Sequence, residues 1–258
     1  MSNNITTINE EIYKRQEFLE GFSNDSAIVI GLGGIGSWLA MDLALIGVGT
    51  LIIIDPDIIE ASNLNRTMFK LSDIGKKKTT AIEELIKERR QDIIIVSIED
   101  YFNQRHLEKY EVDYIFDCTD NLSTRKLIED YKNKSKQLAE ESKNTDNNVS
   151  NDNNNNNQIN FIPGIPTISK QATEFNTPYC KCGYDGFFGT ILMNEFERGK
   201  WGDDGSYTVV PSLFATPQIL ATIAIIEVLI NGSDQNLCIN LNIKNLLKNF
   251  KETKPTNE

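Results

Sequence analysis

Ile28-Val-Ile-Gly-Leu-Gly-Gly-Ile-Gly-Ser37 is the stretch that decides the fold of this chain of 258 residues. Its apolar start predicts a buried strand over Ala27–Gly31, and the mostly apolar run Ser37–Ile46 predicts a buried helix. The turn between them fits the pattern G-x-G-x-x-G, with glycines at Gly31, Gly33, Gly34 and Gly36. Such glycines let the backbone turn sharply and approach phosphates closely, and the next helix offers free N–H groups. The stretch therefore predicts a nucleotide-binding turn.

The segments after this turn alternate between strands and helices. Apolar runs predict buried strands at Thr50–Asp55, Ile93–Ile98 and Tyr114–Cys118. Helices are predicted at Thr79–Arg90 and Leu122–Leu138. Further strands are expected around Tyr179–Gly183, Ile191–Phe196 and Tyr207–Val210, before a last large helix within Pro211–Ile230. This alternation predicts an α/β fold, a doubly wound and mostly parallel Rossmann-like sheet with helices on both faces.

We expect residues 1–258 to form a single domain that carries one insertion. Nine of the sixteen residues in Ser142–Asn157 are asparagine. A segment of this kind buries too little apolar area to offset its chain entropy. Residues 142–158 are therefore predicted to be a disordered surface insertion.

The bulk composition argues against several classes of function. A formal net charge of −11 disfavours a nucleic acid or an anionic membrane as the main partner. The amino terminus lacks the pattern of a signal peptide, and the longest apolar run, Ile219–Ile230, is too short to cross a bilayer. We expect a cytoplasmic protein whose four cysteines are free thiols.

Asp55 lies at the end of the second predicted strand, after the glycine turn. An acidic side chain at this place hydrogen-bonds the ribose hydroxyls of a nucleotide. NAD, FAD and ATP all satisfy that requirement. The glycine turn and Asp55 therefore leave the identity of the nucleotide open.

The polar residues that follow favour ATP. They are Asp57, Asn63, Arg66 and the lysine run at 76–78. Hydride transfer does not need so many cationic and amide groups near the phosphates. Activation of a carboxylate does, because one anion must approach the α-phosphate and the departing pyrophosphate must be stabilised. Lys76 and Lys77 are expected to be solvated at the start of a helix.

A second polar segment, Asp117-Cys-Thr-Asp120-Asn121, ends the fourth predicted strand. It lies at the carboxyl edge, where doubly wound folds bind ligands. Asp120 is the candidate Mg²⁺ ligand, and a role as the N-cap of the helix from Leu122 is a compatible alternative. The single histidine, His106, lies in a polar stretch and is expected at the surface, so a serine–histidine hydrolase has little support.

These motifs, taken together, resemble those of the ubiquitin-activating-enzyme-like adenylyltransferases, the ThiF, HesA and MoeB proteins. In chain order they are Tyr13-Lys-Arg15-Gln, Gly-x-Gly-Gly-x-Gly-Ser from Gly31, Asp55-x-Asp57, Ser62-Asn-Leu-Asn-Arg66, Gly75-x-x-Lys78 and Asp-x-Thr-Asp120-Asn121. The resemblance covers residues 10–130 well and 178–230 more loosely. Agreement in this order and spacing is a specific signal.

The resemblance implies a role for each residue of the predicted site. The glycine turn would hold ATP, with Asp55 on the ribose and Asp57 and Asn121 in the same nucleotide site. The residues implied to contact phosphates are Asn63, Arg66 and Lys78, and Asp120 would bind Mg²⁺. Arg15 resembles an arginine that reaches into the neighbouring subunit's site, so Arg15, Arg66, Lys78 and Asp120 would form the catalytic set of a homodimer.

The resemblance also implies a substrate and a reaction. The substrate is typically the C-terminal glycine carboxylate of a small β-grasp protein that ends in Gly-Gly. Its oxygen attacks the α-phosphate of ATP, which yields an acyl-adenylate and pyrophosphate. The identity of the carrier protein and the fate of the adenylate stay open.

Two departures from the family pattern concern cysteine. Many members hold a structural zinc with two C-x-x-C pairs, whereas this chain has Cys180-Lys-Cys182. We expect these two sulfurs to point to opposite faces of a strand as buried thiols, so zinc is not expected. Some members transfer the acyl group to a loop cysteine, but the corresponding stretch, Pro163–Asn176, contains none. The chain is expected to stop at the adenylate or to pass it directly to a sulfur donor, and Cys180 or Cys182 could take the acyl group only if this loop is registered differently.

Three rival interpretations stay open at this point. The chain could adenylate another carboxylate, such as that of a modified tRNA base, although its net charge weighs against that acceptor. It could be a catalytically idle scaffold partner of an adenylating enzyme, although the intact Arg66, Lys78 and Asp120 argue for activity. An NAD-linked oxidoreductase would explain the glycine turn but would leave the later polar motifs unused.

Overall fold

The computed structural model describes residues 11–19, 21–145, 176–194, 213–232, 236–243 and 245. Seven strands are present in these ranges: β1 Ser26–Ile30, β2 Thr50–Ile54, β3 Ile94–Ile98, β4 Tyr114–Asp117, β5 Tyr179–Asp185, β6 Phe188–Met193 and β7 Leu237–Asn242. They form one sheet in the order β3-β2-β1-β4-β5-β6-β7. The predicted strand at Tyr207–Val210 lies outside the described residues.

The helices that accompany the strands are α1 Gly34–Ile46, α2 Lys78–Lys87, α3 Gln104–Lys109, α4 Leu122–Thr145 and α5 Ala215–Ile225, which continues as a π-helical turn over Ile226–Ile230. Helix α4 extends past the predicted Leu138 to Thr145, the last described residue of this range, so it includes the start of the predicted insertion. Residues 146–158 of that insertion lie outside the described part of the chain. None of the described helices has both the length and the apolar character needed to cross a bilayer.

The first five strands in the sheet order run parallel, as the sequence predicts. β1 pairs with β2 on one side and with β4 on the other, and β5 pairs with β4. Every residue of β1 and of β2 is buried, which explains why these strands do not alternate between apolar and polar residues. The sheet then continues antiparallel through β6 and β7. The doubly wound, mostly parallel architecture is confirmed.

Helices cover both faces of this sheet, and each face has its own apolar core. One core joins α1, α2 and α5 to the sheet through residues such as Leu39, Ile82 and Leu220. The other joins α3 and α4 to the opposite face through Leu107 and Ile128. Along β5 the residues alternate between these two cores, which decides where its polar side chains lie.

The carboxyl end of α1 is held by an arginine from beyond α2. Gly47 follows the helix with a left-handed φ of 113°, which ends it. Arg90 is buried, and its Nη1 donates to the carbonyl oxygens of Ala44 at 3.0 Å and of Val48 at 2.9 Å. Carbonyls at the end of a helix lack intrahelical donors, so Arg90 supplies hydrogen bonds that the helix itself does not. A positive charge there is also favourable to the helix dipole.

Candidate functional site

The predicted site residues other than Arg15 lie in segments that follow the carboxyl ends of strands. The glycine turn follows β1, Asp55 and Asp57 follow β2, and Asp120 follows β4. The chain moves outward from β1 to β3 and then returns to place β4 beside β1. The crevice between β1 and β4 is therefore the point where the strand order reverses, and ligands bind at such points in open α/β sheets.

The glycine turn is tight where the predicted pattern requires it. Gly31 has a φ of +84°, a conformation that side chains disfavour. A Cβ atom on Gly36 would lie 1.8 Å from the carbonyl oxygen of Gly31, so the helix start and the strand end touch directly. A Cβ atom on Gly33 would meet nothing within 4 Å. Gly33, the N-cap of α1, thus faces open space in which a ligand could approach the backbone.

Gly34 has a different reason to be glycine. A Cβ atom there would lie 2.5 Å from the hydroxyl oxygen of Tyr184, a residue of β5. The aromatic ring of Tyr184 therefore packs directly on the first residue of α1. Sequence reasoning did not identify Tyr184, because it lies far along the chain from the glycine pattern.

Asp55 joins the glycine turn to the segment after β2. One carboxylate oxygen accepts from the backbone N–H of Leu32 at 2.6 Å, and the other accepts from the backbone N–H of Asp57 at 2.9 Å. The side chain is buried, so these bonds are made in a region of low dielectric constant. Asp55 thus fixes the shape of the turn, and its contact with a ribose stays a prediction.

Lys78 is the lysine of its run that lies inside the site. Its Nζ lies 2.8 Å from Asp57 Oδ2 and 3.4 Å from Asp55 Oδ1, and the residue is only 8% exposed. Lys76 is exposed, as expected, and pairs with acidic side chains. Lys77 is half-buried and donates to the carbonyl of Pro56 at 2.8 Å. A buried cation next to the glycine turn is suited to a phosphate.

A small open cavity lies beside Lys78. Its volume is about 220 Å³, and it is lined by Asp57, Ile58, Glu60, Asn63 and Lys78. Asn63 belongs to the 3-10 turn Ala61–Asn63, and its Oδ1 accepts from the backbone N–H of Glu60 at 3.0 Å. Its side-chain amide N–H groups have no partner among the described residues, which leaves them available to a ligand oxygen.

Arg66 follows this turn and is only partly engaged. Its Nη1 donates to the carbonyl of Ser62 and, at 3.0 Å, to Oδ1 of Asn65. Its own carbonyl accepts from Nε1 of Trp38 in α1 at 3.0 Å, which fixes its backbone to the helix that follows the glycine turn. The other guanidinium nitrogens form no hydrogen bond within the described ranges. Arg66 therefore keeps donors for an anion.

Two roles were considered for Asp120, Mg²⁺ ligand and N-cap of the helix from Leu122, and the second of them belongs to Asn121. The Oδ1 of Asn121 accepts from the backbone N–H of Ser123 at 2.9 Å and from its hydroxyl at 2.7 Å, so Asn121 is the cap of α4. The alternative that Asp120 caps this helix is wrong. The carboxylate of Asp120 is exposed and has no hydrogen bond or ion pair with any described residue. A free carboxylate at this edge suits Mg²⁺, which binds through one or two carboxylates and phosphate oxygens.

Below Asp120 lies a buried polar cluster that the sequence analysis did not predict. The carboxylate of Asp117 is fully buried at the end of β4, and it accepts from the hydroxyl of Tyr179 at 3.0 Å. Its other oxygen lies 3.2 Å from Nζ of Lys181. Burial, and next the charge of Asp117, raise the pKa of Tyr179 well above its usual value, so this phenol stays a donor. The sequence signal for this cluster was Lys181, a lysine between two cysteines in a predicted strand.

The cysteines lie on the other side of the same strand. The expectation that Cys180 and Cys182 point to opposite faces is wrong, because their sulfurs lie 3.7 Å apart on one face, as residues i and i+2 of a strand must. Both are buried, as predicted. A hydrogen bond with Cys118 lowers the pKa of Cys182, but the bond with Cys180 and burial outweigh it and raise that pKa well above its usual value. A thiol in this state is a poor nucleophile.

No group of three or more His, Cys, Asp or Glu side chains suited to a metal ion occurs in the part of the chain that the structure describes. A site that relies on Asp120 and on phosphate oxygens does not need such a group. His106 is half-buried, and its Nδ1 accepts from the backbone N–H of Asn103 at the start of α3. That role is structural.

Arg15 is separated from this site by the length of α1. It lies in the 3-10 turn Lys14–Gln16 and is exposed. The hydroxyl of Tyr13 lies 3.5 Å from the carbonyl of Ala44, and Nε2 of Gln16 lies 3.4 Å from the carbonyl of Leu45. This turn therefore packs on the far end of α1, about 15 Å along the helix from the glycine turn.

A glycine turn thus lies at the switch point of a doubly wound sheet, Lys78 is linked to it through Asp55, and Asp120 lies on the loop that follows β4. The family model described as the ThiF family matches residues 7–254 of this chain. The chain belongs to the ThiF family.

Curated relatives of several kinds match a little under half of this chain. The sulfur carrier protein ThiS adenylyltransferase of Escherichia coli (strain K12) is 32% identical over 127 residues, 45% of this chain and 51% of that protein. The tRNA threonylcarbamoyladenosine dehydratase of Haemophilus influenzae is 35% identical over 112 residues, 42% of this chain and 43% of that protein. Ubiquitin-like modifier-activating enzyme 5 of Dictyostelium discoideum is 34% identical over 123 residues, 42% of this chain and 32% of that protein. The chain thus spans about half or less of these relatives.

Solved structures show the same fold over more of the chain. PaaA has a TM-score of 0.58 and 19% identity, with 90% of this chain and 64% of that chain covered. The E. coli MccB structure with ATP has a TM-score of 0.56 and 19% identity, with 86% of this chain and 64% of that chain covered. These likenesses support the Rossmann-like, mostly parallel sheet.

Proposed function

We propose that this chain is an ATP-dependent adenylyltransferase that activates a carboxylate. The carboxylate oxygen attacks the α-phosphorus of ATP, the bond between the α- and β-phosphates breaks, and the products are an acyl-adenylate and pyrophosphate. No general base is required, because a carboxylate is already ionised at neutral pH. The catalytic task is to bring two anions together and to stabilise the pyrophosphate as it leaves.

The observation that carries this proposal is the set of charged groups near the glycine turn. Arg66 keeps guanidinium donors and Asp120 keeps a carboxylate without partners among the described residues, and Lys78 holds a buried ammonium group that pairs with Asp57 and Asp55. Arg66 and Lys78 would bind phosphate oxygens, and Asp120 would hold a Mg²⁺ ion that neutralises phosphate charge. The amide N–H groups at the start of α1 and the open space at Gly33 would accept the phosphates.

We propose that the substrate is the C-terminal glycine carboxylate of a small β-grasp protein that ends in Gly-Gly. The names of the ThiS adenylyltransferase and of the ubiquitin-like modifier-activating enzyme support this substrate class. The tRNA dehydratase among the relatives favours a second candidate, a carboxylate on a modified tRNA base. The formal net charge of −11 favours the protein substrate. We also propose a cytoplasmic location.

We further propose that the active form is a homodimer in which Arg15 acts on the partner subunit's site. The turn that contains Arg15 packs at the far end of α1, about 15 Å along the helix from its own glycine turn. An arginine side chain is too short to cross that distance. Contact of Arg15 with a nucleotide bound to a second copy of this chain does not require it to cross that distance.

The proposed reaction is tested by exchange of labelled pyrophosphate into ATP in the presence of a Gly-Gly-ended β-grasp protein. Arg66→Ala and Asp120→Ala are each expected to abolish exchange without loss of the fold, and Asp130→Ala, which removes an exposed carboxylate of α4, is the matched control. Wild-type exchange rates in Arg66→Ala or Asp120→Ala would refute the assigned roles. ATP binding without exchange for any carrier protein or tRNA would favour an idle scaffold, and preference for NAD would refute the proposal.

The dimer proposal is tested by mixing two inactive variants, Arg15→Ala and Asp120→Ala. In a mixed dimer, one of the two sites combines an intact Asp120 with an intact Arg15 from the partner. Random pairing of equal amounts is therefore expected to restore about a quarter of wild-type exchange. Absence of any recovery, with mixed dimers present, would rule out action in trans.

A further inference from the structure

Lys181 is a buried lysine that no part of the reaction described above uses. It lies on β5 and is only 6% exposed, on the sheet face that bears α3 and α4. Its Nζ lies 3.2 Å from Oδ1 of Asp117 and also donates to the backbone carbonyl of Thr119. A lysine is seldom buried, so these two contacts need a physical reason.

Both contacts act on the short loop that carries Asp120. The Oδ1 atom of Asp117 also accepts from the backbone N–H of Thr119 at 3.0 Å and from its hydroxyl at 2.7 Å. The carbonyl of Thr119 belongs to the peptide bond that precedes Asp120. Lys181 and Asp117 therefore hold Thr119 at its N–H, its hydroxyl and its carbonyl, and the direction of the next residue is fixed.

Stability alone is a weak reason for such an arrangement. A buried ion pair loses the hydration of both charges, and an apolar pair of similar size is often as stable or more so. Orientation of a neighbouring ligand is a better reason, because the groups behind a metal ligand set its direction and its affinity for the ion. Asp120 is exposed on a loop, and it has no described partner of its own to orient it.

We propose that Lys181 is a positioning residue for the metal site: through the Thr119 carbonyl and the Asp117 carboxylate, its ammonium group orients Asp120 toward Mg²⁺. This inference rests on the proposed function, in which Asp120 holds the ion. Lys181 does not touch the nucleotide in this scheme. Its removal should therefore weaken what Mg²⁺ contributes to ATP binding and leave the binding of metal-free ATP unchanged.

The test is calorimetric titration of the full chain with ATP, once with saturating Mg²⁺ and once in EDTA. The quantity of interest is the factor by which Mg²⁺ tightens ATP binding. Lys181→Met keeps the apolar stem and removes the ammonium group, and it is expected to reduce this factor by about tenfold. Lys181→Arg keeps the charge and is expected to restore most of it. Lys126→Met, which removes an exposed lysine of α4, should leave it unchanged.

The outcomes separate this inference from the proposed function. If folded Lys181→Met shows the wild-type Mg²⁺ factor while Asp120→Asn reduces it, the positioning role is refuted and the metal site stands. If Asp120→Asn leaves the Mg²⁺ factor unchanged, the assignment of Mg²⁺ to Asp120 is refuted, and the positioning role of Lys181 is refuted with it. If Lys181→Met does not fold, the double variant Asp117→Asn/Lys181→Met removes both buried charges, and the same reduction is expected of it. An equal loss of affinity in EDTA and in Mg²⁺ would also refute the positioning role.

Discussion

Two glycines of the same turn offer a paired test of the site. A Cβ atom on Gly36 would lie 1.8 Å from the Gly31 carbonyl oxygen, whereas a Cβ atom on Gly33 would meet nothing within 4 Å. We predict that Gly36→Ala damages the fold and that Gly33→Ala damages nucleotide binding. Each variant adds one methyl group to the turn. A difference between their effects therefore depends on what surrounds each glycine.

The magnitudes follow from these distances. In Gly36→Ala the backbone must move by more than 1 Å to relieve the contact, which is expected to cost about 3 kcal/mol and to lower the Tm by about 10 °C. In Gly33→Ala the loss of a glycine N-cap is expected to cost about 1 kcal/mol or less. Its methyl group would occupy the space next to the amide N–H groups of the turn. Loss of one such charge-assisted hydrogen bond corresponds to about 10- to 100-fold weaker ATP binding.

Thermal unfolding followed by circular dichroism and ATP binding followed by calorimetry provide the two measurements. Gly36→Ala is expected to lose stability, and Gly33→Ala is expected to lose affinity at nearly unchanged stability. Wild-type ATP affinity in Gly33→Ala would show that no phosphate approaches this backbone. Wild-type stability in Gly36→Ala would show that the strand end and the helix start are not in contact.

Three further variants probe other features. Lys78→Met should weaken ATP binding by about tenfold or more, because it removes the ammonium group buried in the site, and calorimetry against Lys77→Met checks this. Arg90→Met should lower the free energy of unfolding by about 3 kcal/mol, because two carbonyls at the end of α1 lose a charged donor, whereas Arg89→Met should change it by less than about 0.5 kcal/mol in urea denaturation. Burial raises the pKa of Asp42 from 3.8 to about 6. Because this pKa is raised on folding, ionisation of Asp42 lowers the free energy of unfolding, with no effect below pH 3.8 and the full effect above pH 6. Asp42→Asn should therefore raise the free energy of unfolding by about 2 kcal/mol at pH 7.5 and leave it unchanged at pH 3.5. Equal effects at both pH values in urea denaturation would contradict the assigned cause.

The doubly wound core was predictable because its signals are local. The glycine pattern lies directly between the apolar residues of β1 and those of α1, and the strands are buried on both faces without alternation. The polar residues at the strand ends were placed correctly at one edge, since all parallel strands end there. Lys78 inside the site and Lys76 outside it also agree with the sequence analysis.

The remaining features depend on contacts between distant segments or on single-residue shifts. The contact of Lys181 with Asp117 requires that β5 lie beside β4, and a lysine in an apolar run does not show its partner. Asn121 rather than Asp120 caps α4. The choice between two neighbouring cap residues depends on the backbone conformation at the start of the helix. The faces of Cys180 and Cys182 were predictable from the period of a strand, and the wrong expectation misapplied that period.

The pairing of β1 with β4 has a consequence for the way this chain folds. It brings together Ser26 and Asp113, which are 87 residues apart, whereas the contact between Leu32 and Asp55 spans 23 residues. Closing the longer loop costs about 1 kcal/mol more in chain entropy, so we expect β1, β2 and the glycine turn to assemble before β4 joins them. Asp120 joins the glycine turn at this edge only when β4 pairs with β1. The ability to bind ATP with Mg²⁺ should therefore appear in refolding experiments after β1 and β2 have paired, as a marker of the docking of β4.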